Sequence, residues 1–449
     1  MKKMHLSFLG LILIAPAYAQ DIPRKIDDLI STYVSWNKFT GSVLVAEKGK
    51  ILFEKGYGLK NAADQTANDP NTLFLIGSLT KTFTAAVVLK LAEQKKLRLT
   101  DKLSKYFPDF PKGDSITIKN LLTHSSGIFN YGDTKDFFHL SSLPTNEQNV
   151  LDSLMEKPLL FPPGAKYSYS NSNYMLLAYI IQKITHRSYE SVVRDWIFRP
   201  LGMSHSGFDF TGLKDPDKAT GYWDYSAAKI TEARSVDSTQ FIGSGEIYSS
   251  VGDLYKWHLA LQSGKILSKA SLEEAYRPFM GNYGYGWELD TLYHRNIVGH
   301  AGRMWGFEAK MLRVPEDDVF IILLNNRSDG PYLDKAAKKI MAILYGQPYI
   351  SPDPLLALSE DTLNAYTGFY SLAPGHNFEV RLVKGHVFGI AGNKMLELLP
   401  FKKDYFLVME GQDEESDMEF GRDDSGKIDK MIANEHGQKL IAKKIFPGK

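Results

Sequence analysis

The chain has 449 residues, which is longer than one hydrophobic core usually supports, so we expect one large domain and one smaller domain. Its 53 basic and 52 acidic side chains nearly cancel, and without a basic cluster the chain lacks the electrostatic surface that nucleic acid requires. The sequence has no cysteine, which excludes disulfides, thiol nucleophiles and thiolate metal sites.

The N-terminal segment, residues 1–19, has the pattern of a secretory signal peptide. Lys2 and Lys3 form a basic start, the run "LSFLGLILIAP" is apolar but too short to span a bilayer, and "AYA" has the small-x-small form of a cleavage site. We predict cleavage after Ala19 and a periplasmic or secreted protein. The alternative for this segment is a membrane anchor. No later stretch reaches about eighteen consecutive apolar residues, so we expect no membrane span in the mature protein.

The remaining elements are predicted in chain order from their apolar spacing. A helix is expected from Ile22 to Tyr33, followed by two strands in "GSVLVAEKGKILFEKGYG". A long helical and loop-rich stretch follows, from Leu79 to about Leu289. Strand patterns return in "NIVGHAG", "FEAKMLRV" and "VFIILLNN", before a helix in "YLDKAAKKIMAILYG". Strands at both ends of a helical region indicate one sheet closed by distant segments, which is an α+β fold.

A domain boundary is predicted in "GQPYISPDP", where clustered prolines prevent a helix from continuing. Beyond it, "FEVRLV", "HVFGIA", "DYFLVME", "KIDKMIA" and "QKLIAKKI" predict short strands separated by turns. Their regular spacing favours a small antiparallel barrel or a sandwich. We therefore expect a large domain over residues 20–347 and a small β-domain over residues 356–449.

The strongest candidate for a nucleophile is Ser78 in "LIGSLTKTFTAAVVLKL". Three Ser-x-x-Lys pairs occur in the chain, at Ser35, Ser78 and Ser226. Only Ser78 opens an apolar helix, where Lys81 shares its face and the unpaired N–H groups of the first turn favour a developing oxyanion. By itself this pattern is weak, because about two such pairs are expected by chance in a chain of this length.

Two further motifs support Ser78. Tyr169 and Asn171, in "PPGAKYSYSNSNYMLLAYIIQKI", precede an apolar helix. A tyrosine near a lysine ammonium can act as a phenolate base, and the asparagine amide can orient a substrate, although the same residues also suit a simple N-cap turn. His300 and Gly302, in "IVGHAGRMWGF", end a strand where glycine permits close approach of a ligand. The alternative for His300 is a satisfied strand-end histidine, and without a partner at ligand spacing we expect no metal site and no cofactor.

Taken together, the three motifs resemble those of the serine β-lactamase and penicillin-binding-protein superfamily, on the class C β-lactamase-related branch that includes esterases, D-amino-acid-specific peptidases and DD-carboxypeptidases. The resemblance extends from about Ile22 to Tyr345 and includes "LLTHSSGI", "IFRPLGM" and "YGYGWEL". It implies an antiparallel sheet flanked by terminal helices, with a mostly helical subdomain. The C-terminal segment is similar to the lipocalin-like barrels that follow some of these hydrolases.

The resemblance also implies a role for each matching residue. Ser78 would be acylated, with Lys81 as its proton partner and Tyr169 as general base and acid. The backbone N–H groups of Ser78 and Arg303 would form the oxyanion hole. The residues expected to line the substrate cleft are Asn171, His300, Gly302, Arg303, Tyr131 and Tyr248. Trp305 and Phe307 are candidates for an apolar wall, with core packing as the alternative.

One departure from the family pattern affects the expected substrate. Many β-lactamases and carboxypeptidases of the superfamily have a threonine where this chain has Ala301, and its hydroxyl helps to bind the substrate carboxylate. We therefore expect a secreted serine hydrolase that cleaves ester, amide or peptide bonds of small substrates, with weak or no β-lactamase activity. The alternatives are a DD-peptidase or β-lactamase proper, a Ser–His–acid hydrolase that uses His124 or His300, and a catalytically silent protein that binds cell-wall peptides. The oligomeric state stays open.

Overall fold

The computed structural model describes residues 17–226, 228–328, 332–349, 355–373, 376–392, 394–410, 414–435 and 438–445. The predicted α+β fold is confirmed within these ranges. Most of the predicted signal peptide, residues 1–16, lies outside the described residues, so its cleavage stays a prediction. In the described part of the chain, no helix is long and apolar enough to cross a membrane.

Helices occupy both ends and most of the middle of the chain up to Leu344, and one short helix precedes the barrel. They are α1 Ala17–Ser35, α2 Thr80–Glu93, α3 Ile118–Leu122, α4 Phe137–Leu140, α5 Glu147–Met155, α6 Asn171–Thr185, α7 Tyr189–Val193, α8 Arg199–Leu201, α9 Val251–Gln262, α10 Lys269–Ala275, α11 Tyr332–Leu344 and α12 Glu360–Asn364. The predicted helices at the start of the chain and before the proline-rich segment correspond to α1 and α11.

The strands form one central sheet, one barrel and several short pairs. They are β1 Gly41–Glu47, β2 Lys50–Tyr57, β3 Leu59–Asn61, β4 Thr66–Ala67, β5 Phe74–Leu75, β6 Tyr222–Tyr225, β7 Ile230–Glu232, β8 Tyr248–Ser249, β9 Glu288–Leu292, β10 Arg295–Met304, β11 Phe307–Val314, β12 Val319–Asn325, β13 Gly368–Ala373, β14 His376–Val383, β15 His386–Ala391, β16 Lys394–Lys402, β17 Tyr405–Glu410, β18 Glu414–Arg422, β19 Ile428–Glu435 and β20 Gln438–Ile445.

The central sheet is antiparallel, as predicted, with the order β2-β1-β12-β11-β10-β9 among the described strands. Strands β1 and β12 lie in its interior and read as nearly continuous apolar runs because both of their faces are covered. One face packs against α1 and α11, through Val43 and Val45 of β1. The other face, through Leu44 and Ala46, packs against the helical subdomain that contains α2, α6 and α9. This second layer contains the candidate site.

The C-terminal strands β13 to β20 close into an antiparallel barrel of eight described strands. The barrel rather than the sandwich is therefore confirmed. Its interior is filled by aromatic and aliphatic side chains, among them Tyr366, Tyr370 and Phe406. Successive side chains of a strand point to opposite faces, and the residues next to Leu399 and Leu407 face this interior. Leu399 and Leu407 therefore point outward, and they pack into the core cluster of α1 and α11. The predicted boundary includes residues 350–354, which lie outside the described residues, so the division into domains stays a prediction.

Candidate active site

Ser78 lies in a short 3-10 turn that begins at Gly77, directly before α2. Gly77 has a φ of +51°, and a Cβ atom there would lie 2.6 Å from the backbone nitrogen of Arg303. A Cβ atom at Gly302 would lie 2.0 Å from the carbonyl oxygen of Ile76. These two glycines therefore let strand β10 approach the turn that contains Ser78.

Lys81 is fully buried in the first turn of α2. Its Nζ atom lies 2.9 Å from Ser78 Oγ, 2.8 Å from Asn171 Oδ1 and 2.7 Å from the carbonyl oxygen of Ser244. Burial lowers the pKa of the Lys81 amine well below its ordinary value, while the nearby Glu246 carboxyl acts in the opposite direction. The neutral amine is therefore formed at a lower pH than in an exposed lysine.

Tyr169 contacts the same serine, because its hydroxyl lies 2.7 Å from Ser78 Oγ. Lys81 Nζ also lies 4.9 Å from the centre of the Tyr169 ring. Burial nevertheless raises the pKa of Tyr169, and the hydrogen bond to Ser78 offsets this only in part. The structure thus favours a neutral phenol that donates to Ser78 Oγ over the phenolate considered from the sequence.

Glu246 is a buried residue of this site that the sequence analysis did not identify. Its carboxyl oxygens accept hydrogen bonds from the backbone nitrogens of Gly243, at 2.9 Å, and Gly245, at 3.3 Å. These two residues flank Ser244, whose carbonyl oxygen binds Lys81. Burial raises the pKa of Glu246 to about 8. A charged residue between a glycine and an apolar strand, in "GSGEIYSS", is the only signal that the sequence offered.

His124 is a second residue whose position the sequence did not reveal. Its ring centre lies 4.3 Å from that of Tyr169, and its Nδ1 atom accepts a hydrogen bond of 3.2 Å from the backbone nitrogen of Ser170. Burial lowers the pKa of His124, with Lys81 acting in the same direction, so the imidazole is neutral. Because it packs against the ring of Tyr169 and bonds to the neighbouring backbone, His124 supports the tyrosine.

His300 lies on β10 with its imidazole buried. Its Nε2 atom lies 2.8 Å from the hydroxyl of Tyr283, and its Nδ1 atom lies 2.5 Å from the carbonyl oxygen of Ala301 and 3.6 Å from a carboxyl oxygen of Glu288. Burial lowers the pKa of His300, so the neutral ring is favoured. The His300 and Tyr169 ring centres are 6.4 Å apart, which places the histidine beside the catalytic candidates.

The outer edge of β10 is open where it passes Ser78. Pairing with β9 ends at Gly299, whereas pairing with β11 continues to Met304. The backbone nitrogen of Ala301 faces this edge, since it donates to Glu288 Oε2 at 3.2 Å. Backbone groups alternate along a strand, so the nitrogen of Arg303 faces the same edge. The Arg303 side chain is 51% exposed and lies 3.4 Å from the carboxyl of Glu308.

The structure places the predicted aromatic residues in different surroundings. Tyr131 is buried beside Asn171, in a turn whose Asn130 side chain accepts a 2.9 Å hydrogen bond from the Asn171 backbone nitrogen. Tyr248 packs against Phe210, as does Phe307, and both rings belong to the hydrophobic core cluster. The turn that contains Tyr131 is therefore brought to the site, whereas the described ring contacts of all three aromatic residues are those of core packing.

In the other two Ser-x-x-Lys pairs, the serine hydroxyl bonds to nearby backbone groups. Ser35 ends α1 and its hydroxyl donates to the carbonyl oxygen of Thr32. Ser226 lies in the turn after β6 and bonds to the backbone of Lys229. Neither serine has the buried lysine that Ser78 has.

The Beta-lactamase family profile matches residues 26–345, which is most of the chain. This chain belongs to the β-lactamase family. A penicillin-binding protein of Bacillus subtilis is 30% identical to this family member over 418 residues, which cover 87% of this chain and 92% of that protein. The match confirms the resemblance inferred from the three motifs.

Solved structures agree with this assignment. The octameric penicillin-binding protein homologue from Pyrococcus abyssi has 27% sequence identity and a TM-score of 0.68, over 93% of this chain and 99% of its own. D-amino acid amidase from Ochrobactrum anthropi SV3 shares the fold, with 23% identity and a TM-score of 0.62 over 72% of this chain and 96% of its own. The protein is thus a β-lactamase-fold member of a serine hydrolase family.

Proposed function

We propose that this protein is a secreted serine hydrolase that forms an acyl-enzyme on Ser78 and cleaves ester, amide or peptide bonds of small substrates. One observation carries the proposal: Ser78 Oγ lies within hydrogen-bond distance of both Lys81 Nζ and the Tyr169 hydroxyl. A hydroxyl between a buried amine and a partly buried phenol has both a proton acceptor and a proton donor within reach, which is the arrangement that nucleophilic catalysis requires.

With the amine and the phenol both neutral, one arrangement of protons satisfies every group. Tyr169 donates to Ser78 Oγ, and Ser78 donates to Lys81 Nζ. The two N–H bonds of the neutral amine are then donated to Asn171 Oδ1 and the carbonyl oxygen of Ser244. The pKa directions of Lys81 and Tyr169 favour these same neutral forms, so Ser78 is poised to lose its proton to the amine.

In the acylation step, Ser78 Oγ attacks the substrate carbonyl carbon while its proton passes to Lys81 Nζ. The carbonyl oxygen becomes negative and accepts hydrogen bonds from the backbone N–H groups of Ser78 and Arg303. The bond to the leaving group then breaks, the leaving group takes the proton of Tyr169, and Lys81 returns a proton to Tyr169. A water molecule attacks the acyl-enzyme by the same route, and release of the acid restores Ser78.

The range of substrates follows from Ala301 and from the relatives. A hydroxyl at this position would add a hydrogen bond to a substrate carboxylate, worth about 1.5–3 kcal/mol. Its absence supports ester or amide substrates over β-lactams. The likeness to penicillin-binding proteins and to the fold of a D-amino acid amidase supports small acyl or peptide-like substrates. The alternatives are a DD-peptidase or β-lactamase proper and a silent protein that binds cell-wall peptides.

The N-terminal pattern supports export. A basic start, a short apolar run and a cleavage site after Ala19 form a complete secretory signal. Expression of the full chain in a bacterial host, followed by intact mass of the protein recovered outside the cytoplasm, tests this part. We expect the mass of a chain that begins at Gln20. Retention of the full chain in the cytoplasm or in the membrane would contradict it.

Covalent labelling tests the catalytic part. We expect one fluorophosphonate adduct, located on Ser78 by peptide mapping, and no adduct in Ser78→Ala. The Ser35→Ala variant, which alters a surface Ser-x-x-Lys pair, should label like the wild type. Label on Ser125 or Ser244 would contradict the assignment of the nucleophile, and absence of any adduct or turnover would favour the silent binding protein.

Turnover of nitrocefin and of p-nitrophenyl butyrate distinguishes the two enzyme classes. We expect wild type to hydrolyse the ester with the higher kcat/KM. Ala301→Thr should gain about tenfold or more on nitrocefin, because the added hydroxyl can bind the carboxylate, and should change little on the ester. Efficient nitrocefin hydrolysis by wild type, abolished in Arg303→Ala, would instead identify a β-lactamase in which Arg303 supplies the carboxylate contact.

A further inference from the structure

Three aromatic side chains lie together just beyond Arg303, near the end of β10. Trp305 and Gly306 form the two-residue turn between β10 and β11, since Met304 of β10 pairs with Phe307 of β11. The ring of Phe138, on α4, lies 5.5 Å from that of Trp305 and 5.4 Å from that of Trp223, on β6. These three rings are called the aromatic wall below.

Hydrogen bonds hold the aromatic wall in place. The indole nitrogen of Trp305 donates to the hydroxyl of Ser141 at 3.0 Å, and this hydroxyl donates to the carbonyl oxygen of Phe138 at 2.9 Å. Ser141 is fully buried. One serine therefore fixes both the orientation of the tryptophan and the backbone of the neighbouring phenylalanine.

Close backbone contact holds the third ring beside the other two. Gly306 has a φ of +77°, and a Cβ atom there would lie 2.6 Å from the carbonyl carbon of Gly221, at the start of the segment that leads to Trp223. The turn that carries Trp305 is thus packed against the strand that carries Trp223. The rings are preorganised, yet Phe138 remains 50% exposed, so the packed core leaves half of this side chain uncovered.

A single segment connects the aromatic wall to the catalytic candidates. The side chain of Asn130 bonds to the backbone of Asn171, whose own side chain binds Lys81. The chain then runs from Asn130 through α4 to Ser141, next to Trp305. The segment 130–141 therefore extends from the Lys81 side of the candidate site to the far end of β10.

The order of residues along β10 indicates which part of the substrate meets the aromatic wall. His300 lies beside Tyr169, the proposed proton donor to the leaving group, with ring centres 6.4 Å apart. Arg303, the proposed oxyanion contact, follows, and Trp305 lies two residues further along the chain. The leaving group and Trp305 are therefore on opposite sides of the oxyanion position, and Trp305 is on the acyl side.

We propose that the aromatic wall is the acyl-group subsite of this hydrolase and that it selects acyl groups that contain an aromatic ring, such as a phenylacetyl group. The proposal rests on the proposed function. Aromatic rings are attracted to one another in offset or edge-to-face geometry beyond the effect of buried area. Rings held in fixed orientation lose little conformational entropy when a ligand binds, so the contact strengthens binding.

The test compares p-nitrophenyl phenylacetate with p-nitrophenyl acetate, which have the same leaving group and differ only in the acyl group. For wild type we expect kcat/KM for phenylacetate to be about tenfold higher or more. Phe138→Ala, a change at a half-exposed side chain, should reduce this ratio severalfold. Trp223→Ala provides a second test of the aromatic wall. Phe369→Ala removes a similarly exposed ring of the barrel and should leave the ratio unchanged.

The possible outcomes separate this proposal from the one on which it rests. A ratio near one in wild type, or a ratio that stays high in both Phe138→Ala and Trp223→Ala, would overturn the acyl subsite while leaving Ser78 hydrolysis intact. Absence of turnover with every ester, together with absence of a fluorophosphonate adduct on Ser78, would overturn the hydrolase and the subsite together.

Discussion

The part of the chain that contains the candidate active site, called the catalytic part below, differs from the barrel in the kinds of side chain that it buries. Within the described residues, every buried charged or non-aromatic polar side chain lies at or before Arg327, whereas the buried side chains of the barrel are apolar or aromatic. An unpaired buried polar group costs about 1–3 kcal/mol, so hydrogen bonds stabilise the polar groups that the catalytic part buries. Lys81, with three hydrogen-bond partners, is such a case. The catalytic part therefore buries polar groups that can take part in a reaction, whereas the barrel buries side chains that mainly pack.

Removal of one hydroxyl from each region should give the largest difference in kcat/KM between the two regions. Ser78→Ala should lower kcat/KM for p-nitrophenyl butyrate by about 10³-fold or more, because the nucleophile is lost. Tyr370→Phe in the barrel removes a buried hydroxyl that donates to the carbonyl oxygen of Tyr366. This change should leave kcat/KM unaltered and lower the free energy of unfolding by about 1 kcal/mol. Equal kinetic effects of the two changes would contradict the division.

Lys81 and Tyr169 should behave as one unit. In the proposed mechanism Lys81 takes the proton of Ser78 and Tyr169 gives a proton to the leaving group, which Lys81 then replaces, so loss of either interrupts the same proton path. Lys81→Ala combined with Tyr169→Phe should therefore cost little more in kcat/KM than the worse single change. Independent effects that multiply in the double variant would show that the two groups act separately. Activity should also rise with pH as Lys81 loses its proton, beginning at a lower pH than an exposed lysine would require.

Glu246 should affect the rate through Lys81, as a positioning residue. Glu246→Ala removes the acceptors for the backbone nitrogens of Gly243 and Gly245, so the carbonyl oxygen of Ser244 is no longer held toward the amine. We expect a loss of about tenfold in kcat with little change in KM, and a smaller loss in Glu246→Gln, which retains one acceptor. A rise in KM alone would contradict this role.

Glu246 should also make stability depend on pH. Burial raises its pKa from 4.5 to about 8 in the folded protein. Between these values the unfolded chain releases a proton that the folded protein keeps, so the contribution of Glu246 to stability falls as pH rises from about 5 to about 8. Thermal unfolding of wild type and Glu246→Gln at both ends of this range measures the effect. The decrease in Tm should be smaller in the variant, and equal decreases would contradict the raised pKa.

Removal of the barrel should have the smallest effect on catalysis. A chain that ends at Gln347 loses Leu399 and Leu407, which cover part of α1 and α11, on the face of the sheet opposite the candidate site. We expect a cooperative unfolding transition at a lower Tm, with kcat/KM for p-nitrophenyl butyrate within about twofold of the full chain. A soluble truncated chain without activity would show that the barrel contributes to the site. Complete insolubility would contradict an independent catalytic domain.

The parts of this protein that the sequence predicted are those encoded by local patterns. Ser78 and Lys81 are one helical turn apart, and the terminal strands and helices have clear apolar periods. Glu246 was missed because its role depends on Lys81, which is distant along the chain. In the barrel, β13, β16 and β18 were not predicted. Strand β18 begins with a charged run, and β16 includes Pro400, so neither shows the alternation of a half-buried strand. Closure of the barrel fixes their pairing.

The contacts that complete the active site join segments that are synthesised far apart. Lys81 binds the carbonyl oxygen of Ser244, 163 residues later, and the Tyr169 hydroxyl donates to Ser78 Oγ, 91 residues earlier. Such pairings form late in folding, because the chain must close long loops before they contribute free energy. Lys81 is therefore held beside Ser78 only when the segment that contains Ser244 is in place. A nascent or unfolded chain has the proposed nucleophile but not its activation, so on this proposal hydrolysis begins only after these distant segments have come together.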